Sequence, residues 1–466
     1  MIARTVIAGA HIATVDAART EHPDGHLVID GAEIVAVGGG APPAWALDGR
    51  APDGSPGAEP VELTRVDGRG RLLTPGLINT HHHLYQWLTR GYAQDAVLFD
   101  WLTTLYPIWA RIDANLTQVA ALGALGVLAR SGCTLVGDHH YVFPRGCGDI
   151  VGGIVAAAGE IGVRVHATRG SMDLGASDGG LPPDFAVEST DAALRASAEA
   201  VAAYHDPSRE AMVQVALAPC SPFSVTADLL RQSAVLARDL GVRLHTHGSE
   251  TLDEDAYTRE RFGLTPTQYL ESVGWLGPDV WMAHCVHLDA EAIARFAATG
   301  TGVAHCPTSN ARLGSGVAPV PQLLDAGVPV GLGVDGAASN ESGKLGEEIR
   351  AAVLMNRLRA GADRMPGGTA LWMATMGGAT VLGRDRELGS LEVGKLADVA
   401  LWQVDTVDHA GLIDPVAALT LAAQPPLALL LVHGRPVVAD DTLLTVDETD
   451  VARRVAAASR ELAERV

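Results

Sequence analysis

His81 and His83 stand two residues apart in PGLINTHHH, and His247 is followed three residues later by Glu250 in HTHGSE. Side chains on a strand alternate faces, so an H-x-H pair sends both imidazoles to one side and leaves His82 pointing the other way. With 17 histidines in the chain, one H-x-H match carries little weight, and His245 with His247 supplies a second. What lifts the set above ordinary core histidines is the Glu after His247 and an isolated Asp335 closing GLGVDGAASN. Three imidazoles and a carboxylate (His81, His83, His247 and Asp335) make a competent shell for one divalent ion, with water in the remaining position. The expected ion is one Zn2+ per chain, and Fe2+ suits the same donors. Zinc lowers the pKa of its water from about 16 to about 7, which makes a nucleophile available at neutral pH.

A second metal bridged by a carboxylated lysine is not expected. The chain has two lysines, Lys344 and Lys395, and both follow the last of the segments described next. The fourth of those segments ends in Cys220, a weaker candidate ligand.

Residues of this kind need a scaffold, and the sequence outlines one. Eight short β-rich segments recur between residues 70 and 336: LLTPGLINTHHH, TLVGDHHY, VRVHATRG, VQVALAPC, VRLHTHGS, VWMAHCVH, GVAHCPTS and VPVGLGVD. Stretches rich in Ala, Leu and Glu lie between most of them, the alternation of a parallel sheet with outer helices. Eight units predict a (β/α)8 TIM barrel over residues 69–390. The reactive residues, including His139, His140, Arg169, His284 and Ser309, fall at the C-terminal ends of these segments, where barrel enzymes assemble their sites.

Short strands punctuated by Gly and Asp turns also occupy residues 1–68 and 391–448, which predicts one discontinuous small β-sandwich domain made by both chain ends. Residues 449–466 read as a C-terminal helix. The Pro- and Gly-rich stretch 41–60 reads as a mobile loop.

Composition narrows the partners. Acidic residues outnumber basic ones 55 to 34, a formal charge of -21 that repels nucleic-acid backbone and anionic lipid. Five cysteines without a C-x-x-C pair argue against a disulfide framework and for a reducing, cytoplasmic setting. No secretory leader or membrane span is expected. A small-molecule substrate is the expected partner, and a homo-oligomer is compatible.

PGLINTHHH, HGSE, AHCVH and GVDGAASN together resemble the amidohydrolase superfamily, in its deaminase branch. HHHLYQWLTR, LFDWLTTLYPIWARI, RGSMDLGASDGGLPPD, APCSPFSVT and NARLGSGVAPV are most similar to 8-oxoguanine deaminases and hydroxytriazine aminohydrolases. HGSE departs from that pattern beside the substrate, where bulkier residues are expected between His and Glu. The resemblance implies hydrolytic loss of ammonia from a nitrogen heterocycle, in purine metabolism or a related route. It makes His81, His83, His247 and Asp335 the metal ligands and Glu250, His284 and Asp335 the catalytic groups. Asp335 takes the proton of the attacking water, Glu250 protonates a ring nitrogen, and His284 orients the incoming oxygen.

Gln86 matches a purine-reading glutamine, and an amide can both donate to and accept from a lactam edge. Trp101, Tyr106 and Trp109 are candidates to stack on a planar ring. Arg169 and Cys220 are further candidate substrate contacts. Two rival readings stand beside the deaminase: a triazine aminohydrolase or chlorohydrolase on the same scaffold, and a non-catalytic scaffold protein, whose signature would be a missing ligand.

Overall fold

Five strands precede the barrel: β1 (Ile2–Ala13), β2 (Glu21–Asp30), β3 (Glu33–Gly39), β4 (Val61–Asp67) and β5 (Arg71–Pro75). The barrel strands are β6 (Leu77–Asn79), β7 (Cys133–Gly137), β8 (Arg164–Ser171), β9 (Val213–Pro219), β10 (Leu244–Gly248), β11 (Val280–His284), β12 (Gly302–His305) and β13 (Val330–Leu332). Four more follow: β14 (Val399–Gln403), β15 (Leu427–Val432), β16 (Arg435–Ala439) and β17 (Thr442–Leu443). They come from a computed structural model that describes residues 2–48, 50 and 61–465.

Strands β6 to β13 pair in parallel and close on themselves, so all eight expected segments enter one TIM barrel. The connecting helices follow a repeated local rule. Asp113, Asp149, Ser189, Thr226 and Asp289 each accept a backbone N–H in the first turn of the helix that follows. These caps satisfy donors that a helix start otherwise leaves bare. Gly162, Gly241 and Gly300 end three of the helices in the left-handed conformation, the stop that glycine tolerates best.

The remaining strands form one connected nine-stranded sheet, with β5 joining the N-terminal strands to β14. A single apolar cluster draws on both chain ends, with Ile7, Ile29, Leu73, Leu401 and Leu431 among its members. The sheet therefore reaches Pro75, a few residues beyond the expected limit at 68. The break between β5 and β6 falls at Gly76, where a Cβ would sit 2.3 Å from a methyl of Thr134, so only glycine lets the chain cross from sheet to barrel there. The C-terminal helix Glu448–Glu464 packs on the helix Ala114–Arg130. Of the stretch expected as a mobile loop, Ala44–Asp48 is helical, and residues 51–60 lie outside the described residues. All five cysteines are unpaired. No helix among the described residues is long and apolar enough to cross a membrane.

A buried ion pair ties the sheet to the floor of the barrel. Arg164, at the start of β8, donates to both carboxylate oxygens of Asp398 at 2.9 and 3.1 Å and to the carbonyls of Glu210 and Ala211. Asp398 also accepts the His433 backbone N–H, and both side chains are almost fully buried. Removing one partner strands a charge in the interior, at a typical cost of about 3–5 kcal/mol. Asp398→Ala is expected to lower the unfolding free energy by that amount in urea titrations. A change below about 1 kcal/mol would show that the pair does not hold the two parts together.

Candidate active site

The histidines declare their tautomers through the atoms behind them. His83 Nδ1 lies 2.5 Å from the carbonyl of His139, and His247 Nδ1 lies 2.6 Å from the carbonyl of Cys220. A carbonyl only accepts, so each Nδ1 carries the proton and each Nε2 presents a lone pair. His81 reaches the same state through a relay. His245 Nδ1 donates to the carbonyl of Trp281 at 2.9 Å, so His245 Nε2 accepts the His81 Nδ1–H at 2.7 Å. His245 is itself held flat on the Trp281 indole, with ring centres 4.3 Å apart.

The three Nε2 atoms converge. His83 Nε2 and His247 Nε2 are 3.2 Å apart, and Asp335 Oδ1 is 3.3 Å from Nε2 of both His81 and His83. Burial keeps the imidazoles neutral, with His81 and His83 lowered and His247 pushed down to about 3. Two lone pairs at 3.2 Å repel, and His81 Nε2 is buried with no hydrogen-bond partner. A tetrahedral ion with bonds of about 2.0–2.1 Å needs donors about 3.3–3.4 Å apart, and the His83–His247, His81–Asp335 and His83–Asp335 separations of 3.2–3.3 Å suit zinc. His139 stacks on His247 at 4.6 Å and completes a four-histidine cluster, while its Nε2 faces the carbonyl of Ala218. His82 points elsewhere, its ring nitrogens buried without partners.

The acid–base groups stand around the same point. Glu250 Oε2 is 3.6 Å from His284 Nε2, which is 3.8 Å from Asp335 Oδ2. Burial pushes the Glu250 carboxyl up to about 7. Burial opposes the Asp335 carboxylate too, but His81, His284 and His83 beside it hold its pKa well below the usual carboxylate range. His284 is also desolvated, yet Glu250 and Asp335 raise its pKa above that of an ordinary imidazole. Its Nδ1 donates to Asn310 Oδ1 at 2.9 Å, which turns Nε2 toward the two carboxylates. Asp335 Oδ2 accepts the Ser309 hydroxyl at 2.6 Å, while Oδ1 accepts the Gly336 N–H at 2.6 Å and faces the histidine side.

Backbone strain marks the same strand ends. Ser249, His284, Cys285 and Asp335 all adopt left-handed φ, between 50° and 70°, without being glycine. Such conformations cost of order 1–3 kcal/mol each and persist where surrounding bonds enforce them, as at functional sites.

The expected substrate contacts divide. Trp101, Tyr106 and Cys220 line the cavity in front of Glu250, together with Tyr141 and Phe223, which sequence reasoning did not single out. Gln86 does not line it. Its amide is buried with neither polar atom partnered and packs on Gly336, where a Cβ would meet Gln86 Oε1 at 1.8 Å. Trp109 lies behind the wall, donating to Thr89 and touching Trp101 edge-on at 5.1 Å. Arg169 pairs with Glu188, covers Phe143 and faces a separate groove of about 710 Å3. Lys395 is tied to the carbonyls of Asp385 and Leu388, and Lys344 to Glu347, so neither lysine approaches the histidines.

Metal retention after dialysis against a chelator tests this geometry. His83→Ala is expected to empty the site and His82→Ala to leave it loaded. His245→Phe, which removes only the acceptor behind His81, is expected to weaken metal binding by about 10–100-fold, the usual effect of losing a hydrogen bond behind a ligand. Unchanged affinity in His245→Phe would show that the relay does not orient His81.

Comparison with known proteins gives the same picture. The amidohydrolase family model matches residues 72–437. An 8-oxoguanine deaminase of Pseudomonas aeruginosa is 44% identical over 442 residues, 94% of this chain and 95% of that protein. An isoxanthopterin deaminase from an unknown prokaryote is 36% identical, over 99% of this chain and 96% of the other. The crystal structure of an Arthrobacter aurescens atrazine chlorohydrolase complexed with zinc superposes with a TM-score of 0.89 at 33% identity, covering 98% of this chain and 100% of that one. Taken with the convergent histidines and the strand-end aspartate, this match over most of its length makes the chain a member of the amidohydrolase family.

Proposed function

We propose that the protein hydrolyses the exocyclic amine from a planar 2-amino-lactam heterocycle, with 8-oxoguanine and isocytosine as expected substrates and one zinc or iron(II) ion per chain. The observation that carries this is Glu250: a buried carboxyl with a pKa of about 7, 3.6 Å from His284 and on the same cavity as His83, His247 and Asp335. A bare metal-binding scaffold has no use for a carboxyl that both holds and releases a proton at neutral pH. None of the four donors is missing, so the scaffold reading lacks its signature.

Bound by His81, His83, His247 and Asp335, the ion supplies Lewis-acid activation of water. The Asp335 carboxylate takes the proton that water loses. Glu250 gives its proton to the ring nitrogen beside the amine-bearing carbon as the C–O bond forms. Glu250 then takes the proton of the added hydroxyl and passes it to the amine, the C–N bond breaks, ammonia leaves as the carbon becomes a carbonyl, and the proton held by Asp335 restores Glu250. His284, fixed by Asn310, hydrogen-bonds the incoming oxygen between Glu250 and Asp335.

Substrate shape follows from the wall facing these groups. Trp101 and Phe223 offer flat apolar surfaces, and Tyr106 carries a buried hydroxyl with no partner beside the Cys220 thiol. Burial pushes the thiol up to about 12, which makes it a weak donor on this wall. Unpartnered hydroxyls on a cavity wall suit ring carbonyls, which both 8-oxoguanine and isoxanthopterin carry beside a 2-amino lactam. We therefore assign carbonyl recognition to Tyr106, with Gln86 supporting the Asp335 loop from behind. The atrazine chlorohydrolase neighbour supports a second reading, displacement of chloride or an alkylamine from a triazine; release of chloride instead of ammonia would favour it.

Glu250→Gln is expected to keep its metal and fold while losing at least ~100-fold in kcat, the scale of a lost proton carrier. Near wild-type turnover in that variant removes the assignment.

A site built to hydrogen-bond a lactam rejects an analogue lacking it by up to about 10^4-fold in kcat/KM. Ammonia release from 8-oxoguanine or isocytosine is accordingly expected to exceed that from 2-aminopurine by at least ~100-fold, and Tyr106→Phe to narrow the gap. If Gln86→Leu abolishes the preference while Tyr106→Phe leaves it intact, the lactam is read by Gln86. Equal rates on all three compounds rule out a lactam-reading site.

A further inference from the structure

The turn that presents Glu250 runs into the helix Leu252–Phe262, and its sequence has the letters of a capping box, Thr251-x-x-Glu254. In that motif the Thr side chain accepts the N–H three residues on, and the acid reaches back to the Thr N–H. The next helix, Pro266–Ser272, does this with Thr265 and Gln268. At Thr251 neither half is made. Its side chain caps nothing and Oγ1 is buried without a partner. Glu254 reaches past it, and its two oxygens accept the N–H groups of Ser249 at 2.9 Å and Glu250 at 3.0 Å.

The displacement has a geometric consequence. Ser249 is in the left-handed conformation, with φ of 53°, where a serine does not rest unaided. Two N–H groups in succession, pinned to the two oxygens of one rigid carboxylate, fix both peptide planes around that residue and so the direction in which the Glu250 side chain leaves the backbone. The other side of the turn is held by the His287 N–H on the Ser249 carbonyl at 2.9 Å. Glu254 is completely buried, and burial raises its pKa while the two backbone donors act to lower it. A neutral glutamine in its place would turn an NH2 group against one of the two N–H groups, leaving a buried donor without an acceptor.

We infer that Glu254 is a positioning residue for Glu250: the cap of its own helix is forgone, and the carboxylate instead holds the strained turn that aims the proton carrier at the reacting atoms. The inference rests on Glu250 carrying the proton, as set out above. A displacement of about 1 Å in a reacting group can cost ~10^2-fold in rate, so the clamp has a measurable effect without touching substrate.

The test is a double-mutant cycle on metal-loaded protein, with ammonia release from 8-oxoguanine and amide hydrogen exchange as separate readouts. Glu254→Gln is expected to lower kcat by ~10–100-fold with KM and metal content little changed. Added to Glu250→Gln it is expected to cost nothing further, because the group it positions is already gone. Exchange at one of the Ser249 and Glu250 amides is expected to rise at least ~10-fold, since glutamine leaves a single acceptor oxygen for two N–H groups. The same fractional loss in both backgrounds, an unchanged kcat, or retained protection at both amides overturns the inference. If the wild type releases no ammonia from any lactam, the functional reading fails, and the exchange data decide the clamp on their own. Should Glu254→Gln fail to fold, Glu254→Asp keeps the charge on a shorter arm and serves in the same cycle.

Discussion

Lone pairs of buried neutral imidazoles and a carboxylate oxygen crowd together at one rim of this barrel. The Nδ1 atoms of His81, His83 and His247 are committed to acceptors behind them, so the Nε2 atoms of His83 and His247 face each other at 3.2 Å, and Asp335 Oδ1 lies 3.3 Å from Nε2 of His81 and of His83. Repulsion of that kind is stable only with a cation between the donors. The rest of the site is arranged to hold the four atoms in place: carbonyls of His139 and Cys220, the His245–Trp281 relay and the Ser309 hydroxyl each fix one donor.

Barrel geometry supplies the convergence. Eight parallel strands bring their C-terminal ends to a common rim, and the candidate site residues lie at those ends or within four residues beyond them. Several sit in left-handed backbone, which aims a side chain across the rim instead of along its strand. Buried carboxylates hold these loops from behind. Asp138 accepts the Leu84 N–H just after His83, Glu254 takes Ser249 and Glu250, and Glu348 takes the Thr308 N–H and the Asn340 amide. Burial pushes Asp138 and Glu348 up to about 7. Each is a polar group at a depth where apolar packing alone would be less costly, and each spends its acceptors on the backbone of a loop that carries the site.

Substrate recognition has a different physical basis from metal binding. Metal donors must meet distance and angle requirements common to any zinc site, whereas a heterocycle is read by whatever groups remain unpaired on the cavity wall. On this wall the Tyr106 hydroxyl beside the Cys220 thiol is unpaired and Trp101 and Phe223 present flat faces, which is why substrate recognition is proposed there. Trp109 and Arg169 have found partners elsewhere, with Thr89 and Glu188. Their side chains are spoken for within the protein.

The sequence by itself determined the barrel, because strand alternation and eight apolar segments are local patterns with a period. It also pointed to His81, His83, His247, Glu250 and Asp335, since two-residue spacing on a strand and position at a strand end are again local properties. Only the tertiary structure decided which side chains face the cavity. Gln86, three residues past His83, lies in a 3-10 turn after the strand, where the period-two rule no longer applies, and its amide turns onto Gly336. Tyr141 and Phe223 come to the wall from loops after β7 and β9, and no spacing in the chain relates them to Glu250. The Thr251-x-x-Glu254 letters announced a helix cap, but a carboxylate goes to the donors within its reach. Strain at Ser249, set by the strand end before it, placed two backbone N–H groups closer than the cap.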